Sequence, residues 1–268
     1  MHLGQLIGLS AFLLASTTTF TDASPLINKR AEQDKFCGTE ASKQAGNYNV
    51  HNNLVGRSES GEQCTEILST ASDNGISWRT TWTWSGQENY IKSFANAAYH
   101  FEPKAISEIT SIPLAWDWEY TAAPDSGDSE GEEPKSNVML DLWTYPHSDK
   151  IGGYDCEIAI WFDATGGAEP LGNKLVASPY VDTDGTKYDV YAGTNTVQKV
   201  FSFVAKSENA GENLEKFNGD VLPFISFLKK EAAYPADLQY LGAIRGGTTA
   251  YVGNNVVFTT REFIVQVK

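Results

Sequence analysis

Two short apolar segments each place one carboxylate and one indole on the same side of a strand. In EIAIWF, alternation puts Glu157 and Trp161 on one face and three large apolar residues on the other. In VMLDLW, Asp141 and Trp143 share a face in the same way. Carboxylates carry out glycoside cleavage, and aromatic planes stack on sugar rings. The pattern therefore indicates a carbohydrate-binding site, although acidic residues on an ordinary solvent-exposed sheet face would give the same pattern.

Other kinds of chemistry lack their motifs in this chain. There is no GxSxG nucleophile elbow, no GxxxxGK[ST] phosphate loop and no His or Cys pair at zinc spacing. We therefore expect no metal and no cofactor. The formal charge is −14, from 34 acidic and 20 basic residues. This balance argues against nucleic acid and anionic membranes as partners and fits a neutral polysaccharide.

The N-terminal region is typical of an exported protein. Residues 1–23 contain the apolar stretch LIGLSAFLLA, too short to span a bilayer, and are interpreted as a signal peptide. Residues 24–30 end in a Lys-Arg pair and are interpreted as a short pro-peptide. The mature chain, 31–268, has no evident linker. We expect a secreted monomer with one domain.

The chain has three cysteines, Cys37, Cys64 and Cys156. In a secreted chain two of them should pair. Cys37 and Cys64 lie near the expected mature N-terminus and flank strand-like sequence, so we expect them to form the disulfide. Cys156 is then interpreted as a small buried apolar residue.

Alternating apolar residues between Gly, Pro, Asn and Asp clusters predict many short strands and an all-β sandwich, barrel or jelly roll. One helix is also predicted, capped by Asp220, with Pro223 in its first turn and Leu222, Ile225 and Leu228 on one face. The predicted strands are 78–84, 116–120, 138–143, 157–162, 176–181, 188–191, 197–204 and 256–267.

A series of collinear motifs resembles glycoside hydrolase family 12, which comprises small endo-β-1,4-glucanases and xyloglucanases. The resemblance covers nearly the whole mature chain and implies a jelly roll of two packed antiparallel sheets with a concave glucan-binding cleft and one short outer helix. The motifs include NNLVG, WTWSG, DLWT, EIAIW and GTTAYVG. They fall at 52–56, 63–65, 82–86, 91–94, 112–118, 141–144, 157–161, 166–172, 200–204 and 247–253.

The resemblance also implies roles for individual residues. The family's catalytic nucleophile falls on Glu157, and its helper aspartate falls on Asp141. Trp161 matches a cleft tryptophan near the point of cleavage, and Asn53 and Tyr251 match substrate-binding positions. The Cys37–Cys64 pair matches the family's disulfide. The implied mechanism is retaining, with a covalent glycosyl-enzyme intermediate.

Two positions depart from the family pattern. The acid/base Glu of the motif GTEPFTG is replaced by Thr249, and the Trp of NNLWG is replaced by Val55. An alcohol cannot protonate a leaving sugar oxygen near neutral pH, and a sugar-stacking platform is absent. Glu169, Glu119 and Glu262 are the acids that could substitute as proton donor.

Two functional hypotheses follow from the resemblance and its departures. The first is a β-1,4-glucan endohydrolase, acting on xyloglucan or cellulose, that is impaired by the missing general acid. The second is a catalytically silent relative that binds glucan or a protein, such as an inhibitor or a receptor. A plain lectin of the same sandwich class is disfavoured, because the platform at Val55 is absent.

Overall fold

The computed structural model describes residues 35–56, 61–71, 74–122, 133–146, 153–206 and 215–268. The predicted signal peptide and pro-peptide, residues 1–30, lie outside these ranges. Within the described ranges, no helix has the length and apolar character needed to cross a membrane.

Sixteen strands and one α-helix make up most of the described chain. The predicted strands are confirmed except at 176–181, where only Tyr180–Val181 is extended in a sheet. Pro179 precedes this strand and has no N–H to give to a ladder. The strands are β1 Lys35–Phe36, β2 Ser42–Ala45, β3 Tyr48–His51, β4 Gly61–Thr70, β5 Ile76–Trp84, β6 Ser93–Tyr99, β7 Lys104–Ala105, β8 Pro113–Ala122, β9 Lys135–Tyr145, β10 Cys156–Thr165, β11 Asn173–Lys174, β12 Tyr180–Val181, β13 Lys187–Asn195, β14 Gln198–Ala205, β15 Lys216–Asp220 and β16 Tyr240–Val265; the helix is α1 Leu222–Glu231.

The strands form two sheets that share the long strand β16. The first sheet has the order β1-β4-β5-β16-β8-β15, and the second has the order β2-β3-β6-β16-β9-β10-β14-β13-β11. The N-terminal half of β16 pairs in the second sheet, and its C-terminal half pairs in the first. Asn255, at φ 51°, lies where the register shifts. The all-β jelly-roll sandwich expected from the sequence is confirmed.

The expectation that both sheets are purely antiparallel is wrong at one pair. Strands β10 and β14 run parallel, with Glu157 opposite Val200 and Ala159 opposite Ser202. The chain leaves β10, reaches β13 farther out in the sheet, and returns antiparallel to it as β14. A parallel neighbour requires such a crossover, which strand patterns alone do not reveal.

The main core lies on the inner faces of the sheets. Ile158, Ile160 and Phe162 of β10 are buried in it, as the alternation predicts. Trp116 of β8 packs edge-on against Phe263 of β16, with ring centroids 5.1 Å apart. Each large aromatic side chain removes roughly 150–250 Å² from water, so this core fixes which face of the second sheet points outward.

Helix α1 packs its apolar side on the same core. Phe224 contacts Phe203 at a centroid distance of 5.1 Å, and Ile225 and Leu228 are buried with it. The predicted cap is wrong by one residue, because Val221 is the N-cap. Asp220 still supports this end, since its Oδ1 accepts from the Leu222 N–H at 3.0 Å.

A disulfide joins Cys37 to Cys64 of β4, with Cα atoms 4.1 Å apart. It ties the strand at the edge of the first sheet to its neighbour. Cys156 is free and buried at the start of β10. Both observations agree with the expectations from the sequence.

Candidate active site

The outer face of the second sheet carries the predicted carboxylates. On β10, Glu157, Ala159 and Trp161 point away from the main core, because their neighbours point into it. On the adjacent β9, Asp141 lies directly opposite Ala159, and Trp143 lies opposite Glu157. The two carboxylates are therefore diagonal neighbours on one face.

A groove of about 400 Å³ runs over this face. Glu157, Trp161, Thr249 and Tyr251 all line it, so four predicted site residues from two strands meet in one cavity. The floor near Trp161 is an apolar cluster separate from the main core, formed with Phe94, Met139 and Ala159. The lining also contains Asn89, Ile91, Lys135, Asn137, Met139, Ala159, Glu169, Pro170, Leu171, Asn195, Val200 and Ser202.

Asp141 lies beneath the groove rather than in its lining. Its side chain is buried, whereas the sequence pattern alone suggested a solvent face. The Trp143 indole N–H donates a hydrogen bond to its Oδ2. Its Oδ1 is buried and has no hydrogen-bond partner among the described residues. This unpaired oxygen can accept a proton shared with the neighbouring Glu157.

The pKa values of both carboxyls are raised. Burial is the largest cause raising the pKa of Glu157, and the Asp141 charge raises it further. Burial also raises the pKa of Asp141, while Arg245 and the hydrogen bond from Trp143 oppose that rise. Like charges in a partly dehydrated site do not ionise independently. We therefore expect the pair to hold one proton near neutral pH.

Thr249 occupies a position in the groove without any acid function. It is 2% exposed, and its N–H donates to Asn137 Oδ1 at 3.1 Å. Its hydroxyl lies 4.0 Å from the Met139 sulfur. The β16 wall thus offers a weakly polar hydroxyl and an amide where a proton donor would be needed.

Trp161 and Tyr251 provide aromatic and polar surface in the groove. The Trp161 indole N–H is buried and has no acceptor among the described residues. Burial raises the pKa of Tyr251 to about 12, so its phenol stays protonated. Lys135 lies 5.8 Å from the Tyr251 ring centroid and donates to Asn89 Oδ1 at 2.7 Å.

The structure does not place Asn53 in the groove lining. Its side-chain amide donates to the Phe94 carbonyl at 3.1 Å, and its backbone carbonyl accepts the Phe94 N–H at 3.0 Å. Asn53 also has φ 45°, a conformation that Asn tolerates better than most residues. Asn53 therefore anchors the start of β6 through these two hydrogen bonds. Val55, two residues later, is 55% exposed.

The three candidate substitute acids lie in different places. Glu169 lines the groove with Glu157, in a loop bounded by Gly166 and Gly172 at positive φ. Glu119 lies on β8 of the first sheet and pairs with Arg261 at 2.8 Å. Glu262 is exposed on the part of β16 that pairs with β8 in that same sheet.

Several residues in or beside the groove were missed by the sequence analysis. Arg245 was missed, although it lies two and four residues before Gly247 and Thr249 and so shares their face of β16. Asn137 and Lys135 lie four and six residues before Asp141 on β9 and so share its face. Across the described residues, no group of three or more His, Cys, Asp and Glu is arranged to hold a metal ion.

Comparisons with known proteins point to one family. The model of glycosyl hydrolase family 12 matches residues 46–268. A xyloglucan-specific endo-β-1,4-glucanase A from Emericella nidulans is 36% identical over 266 residues, covering 98% of this chain and 99% of that protein. The crystal structure of Trichoderma harzianum endoglucanase 3 superposes with a TM-score of 0.75 at 26% identity, covering 87% of this chain and 97% of that one. Humicola grisea Cel12A, solved with a thio-cellotetraose, gives 0.75 at 29% identity, with coverage of 87% and 99%.

Proposed function

The chain belongs to glycosyl hydrolase family 12, and we propose that it is a β-1,4-glucan endohydrolase with a retaining nucleophile, Glu157, and an impaired general acid. Xyloglucan is the proposed substrate, in line with the name of the Emericella nidulans relative. The observation that carries the proposal is that Glu157 and Trp161 line one groove with Asp141 beside them. The predicted signal peptide supports a secreted protein, and we propose that it acts as a monomer.

In the first chemical step, Glu157 acts as the nucleophile. Its carboxylate attacks the anomeric carbon, the glycosidic bond breaks, and the leaving sugar oxygen must gain a proton. One oxygen of Asp141 accepts the hydrogen bond from the Trp143 N–H. The other oxygen carries either negative charge or a proton that it shares with Glu157. Water then hydrolyses the glycosyl ester, releasing the sugar with its original anomeric configuration.

The proton for the leaving oxygen is the weak point of this site. In retaining enzymes the acid/base carboxyl lies about 5–5.5 Å from the nucleophile. The aligned position is Thr249, whose hydroxyl contacts Met139 and whose N–H is bound by Asn137. General acid catalysis contributes roughly 10²–10⁴ in rate, or about 3–5.5 kcal/mol of barrier. We therefore expect slow cleavage of polysaccharide and faster cleavage of substrates whose leaving group needs no proton.

Thr249 also favours a second candidate function. A groove that retains Trp161 and Tyr251 but lacks a proton donor can bind glucan without cleaving it. In that case the protein would act as a glucan-binding factor or be recognised by a protein partner such as an inhibitor or receptor.

The test compares the wild-type protein with Glu157→Ala on two substrates. On xyloglucan, new reducing ends are measured; on 2,4-dinitrophenyl β-cellobioside, release of the phenol is measured with and without azide. In the wild type we expect slow xyloglucan cleavage and faster phenol release, which azide accelerates by attacking the glycosyl-enzyme. In Glu157→Ala we expect neither reaction when azide is absent, the condition in which the two proteins are compared, because azide can itself take the place of the missing carboxylate. Equal activity in Glu157→Ala would contradict the proposal. Xyloglucan binding without turnover of either substrate would support the second candidate instead.

A further inference from the structure

Arg245 adjoins the carboxylate pair and completes a patch that spans three strands. It lies directly opposite Asp141 across the β16–β9 ladder, on the groove face. Its guanidinium carbon lies 5.7 Å from the Trp143 ring centroid. Trp143 in turn donates to Asp141 and lies opposite Glu157. These four residues, Arg245, Asp141, Trp143 and Glu157, lie next to one another on β16, β9 and β10.

We propose that Arg245 is a positioning residue of this site, which holds the Trp143 indole against Asp141 and supplies the positive charge beside which the Glu157–Asp141 pair ionises. The proposal deepens the proposed function and rests on it, since it concerns the same nucleophile. A guanidinium suits the role because it is planar, stays charged and stacks on an indole face.

The electrostatic need for a cation follows from the burial of both carboxyls. Two acids in a partly dehydrated site retain a proton unless an opposite charge favours their ionised forms. Arg245 lowers the pKa of Asp141 and also lowers the pKa of Glu157, against the rise that burial causes in both. A protonated Glu157 cannot attack carbon, so this cation widens the pH range in which the nucleophile is available.

The other groups around the pair do not replace Arg245. His51 on β3 faces Arg245 from the far side, and both burial and the Arg245 charge lower the pKa of its imidazole. The Cys156 thiol stays neutral, because burial raises its pKa to about 12. Strand β14 contributes Val200 and Ser202, which do not titrate, and the loop that contains Glu169 contributes that acid. Tyr251 stays neutral, and the ammonium of Lys135 is bound to Asn89.

The first measurement is the pH dependence of kcat/KM on 2,4-dinitrophenyl β-cellobioside, a substrate that needs no proton donor. Removing the charge in Arg245→Met should move the acidic limb of the kcat/KM profile to higher pH by about one unit. At a pH on the acidic side of that limb, kcat/KM should therefore be about tenfold lower than in the wild type. Arg245→Lys retains the charge and should retain the limb. Arg79→Met is the matched control, because Arg79 pairs with Glu66 at 3.3 Å on the first sheet.

The second measurement needs no turnover. The ¹³C resonance of the Glu157 carboxyl is titrated in the wild type and in each variant, with thermal unfolding recorded to establish folding. Arg245→Gln is the second neutral variant, in case Arg245→Met does not fold. If the protein turns over no substrate but the neutral variants shift the Glu157 titration upward, the proposed function fails and the role of Arg245 stands. A folded neutral variant that titrates like the wild type overturns the proposal, as does an equal shift in Arg245→Lys or Arg79→Met.

Discussion

The two walls of the groove differ in their chemistry although one sheet builds both. The β9–β10 wall holds two carboxyls and an indole that donates to one of them, and Arg245 of β16 places a guanidinium beside that indole. On the β16 wall, Thr249 is in register with Asn137 of β9, and its hydroxyl is oriented toward the Met139 sulfur at 4.0 Å. The first wall can supply a nucleophile, and the second cannot supply a proton through Thr249.

The contrast indicates that the backbone geometry of the β16 wall does not depend on the side chain of Thr249. Thr249 is held by backbone pairing to β6 and β9, so its side chain could change while the strand stayed in place. Loss of an acid from a fixed position should therefore be reversible by one substitution.

Replacing Thr249 by Glu should restore a proton donor to the β16 wall. We expect Thr249→Glu to raise the rate of xyloglucan cleavage by roughly 10²–10⁴, the usual contribution of general acid catalysis. Reducing-end release measures it, and Thr249→Gln is the control of matched size without an acid. An equal rise in Thr249→Gln, or no rise in a folded Thr249→Glu protein, would contradict the idea that the β16 wall lacks only a proton donor.

Removing the carboxyl of Glu169 tests whether the groove rim partly compensates for Thr249. We expect Glu169→Gln to slow the residual cleavage of xyloglucan by about tenfold, below the usual general-acid effect because this side chain is solvent-exposed. The kcat/KM for dinitrophenol release should be unchanged, since it reports only the steps up to departure of a leaving group that needs no proton. Glu262→Gln removes an exposed acid from the first sheet and should change neither rate. No difference between the two variants on xyloglucan would exclude Glu169 as a donor.

Restoring an aromatic platform at Val55 should have the smallest effect. Val55 is 55% exposed, so a larger side chain can be accommodated. We expect Val55→Trp to tighten binding of xyloglucan oligosaccharides by about 2–12-fold, from a stacking contribution of roughly 0.5–1.5 kcal/mol. Calorimetry in a Glu157→Gln background measures affinity without turnover. Val55→Leu adds apolar area without an aromatic plane, and an equal gain there would contradict the stacking account.

The face that carries Glu157 and Trp161 could be predicted from sequence because strand alternation is local. In EIAIWF, burying three apolar residues leaves Glu157 and Trp161 on the other side wherever the strand sits. The burial of Asp141 was not predictable in this way, because the residues around it come from β10 and β16 as well as from its own strand.

Non-local pairing also explains the other differences. The parallel β10–β14 pair depends on where β13 lies, which no window of sequence reports. Asn53 matches a substrate-binding position of the family, yet its amide is bound to Phe94 here. Arg245 carried a usable local signal, since it alternates with Thr249, but its importance depends on Asp141 from a distant part of the chain.

Strand β16 has a consequence for how this molecule assembles. It is the direct neighbour of β5, β6, β7, β8 and β9, all of which precede it in the chain. Arg79 and Thr259, for example, are in contact although they are 180 residues apart. Closing such large loops is slow, because their entropy is lost before the pairing energy is gained. Neither sheet can be completed until β16 has been synthesised, so we expect folding to be a single slow, cooperative event.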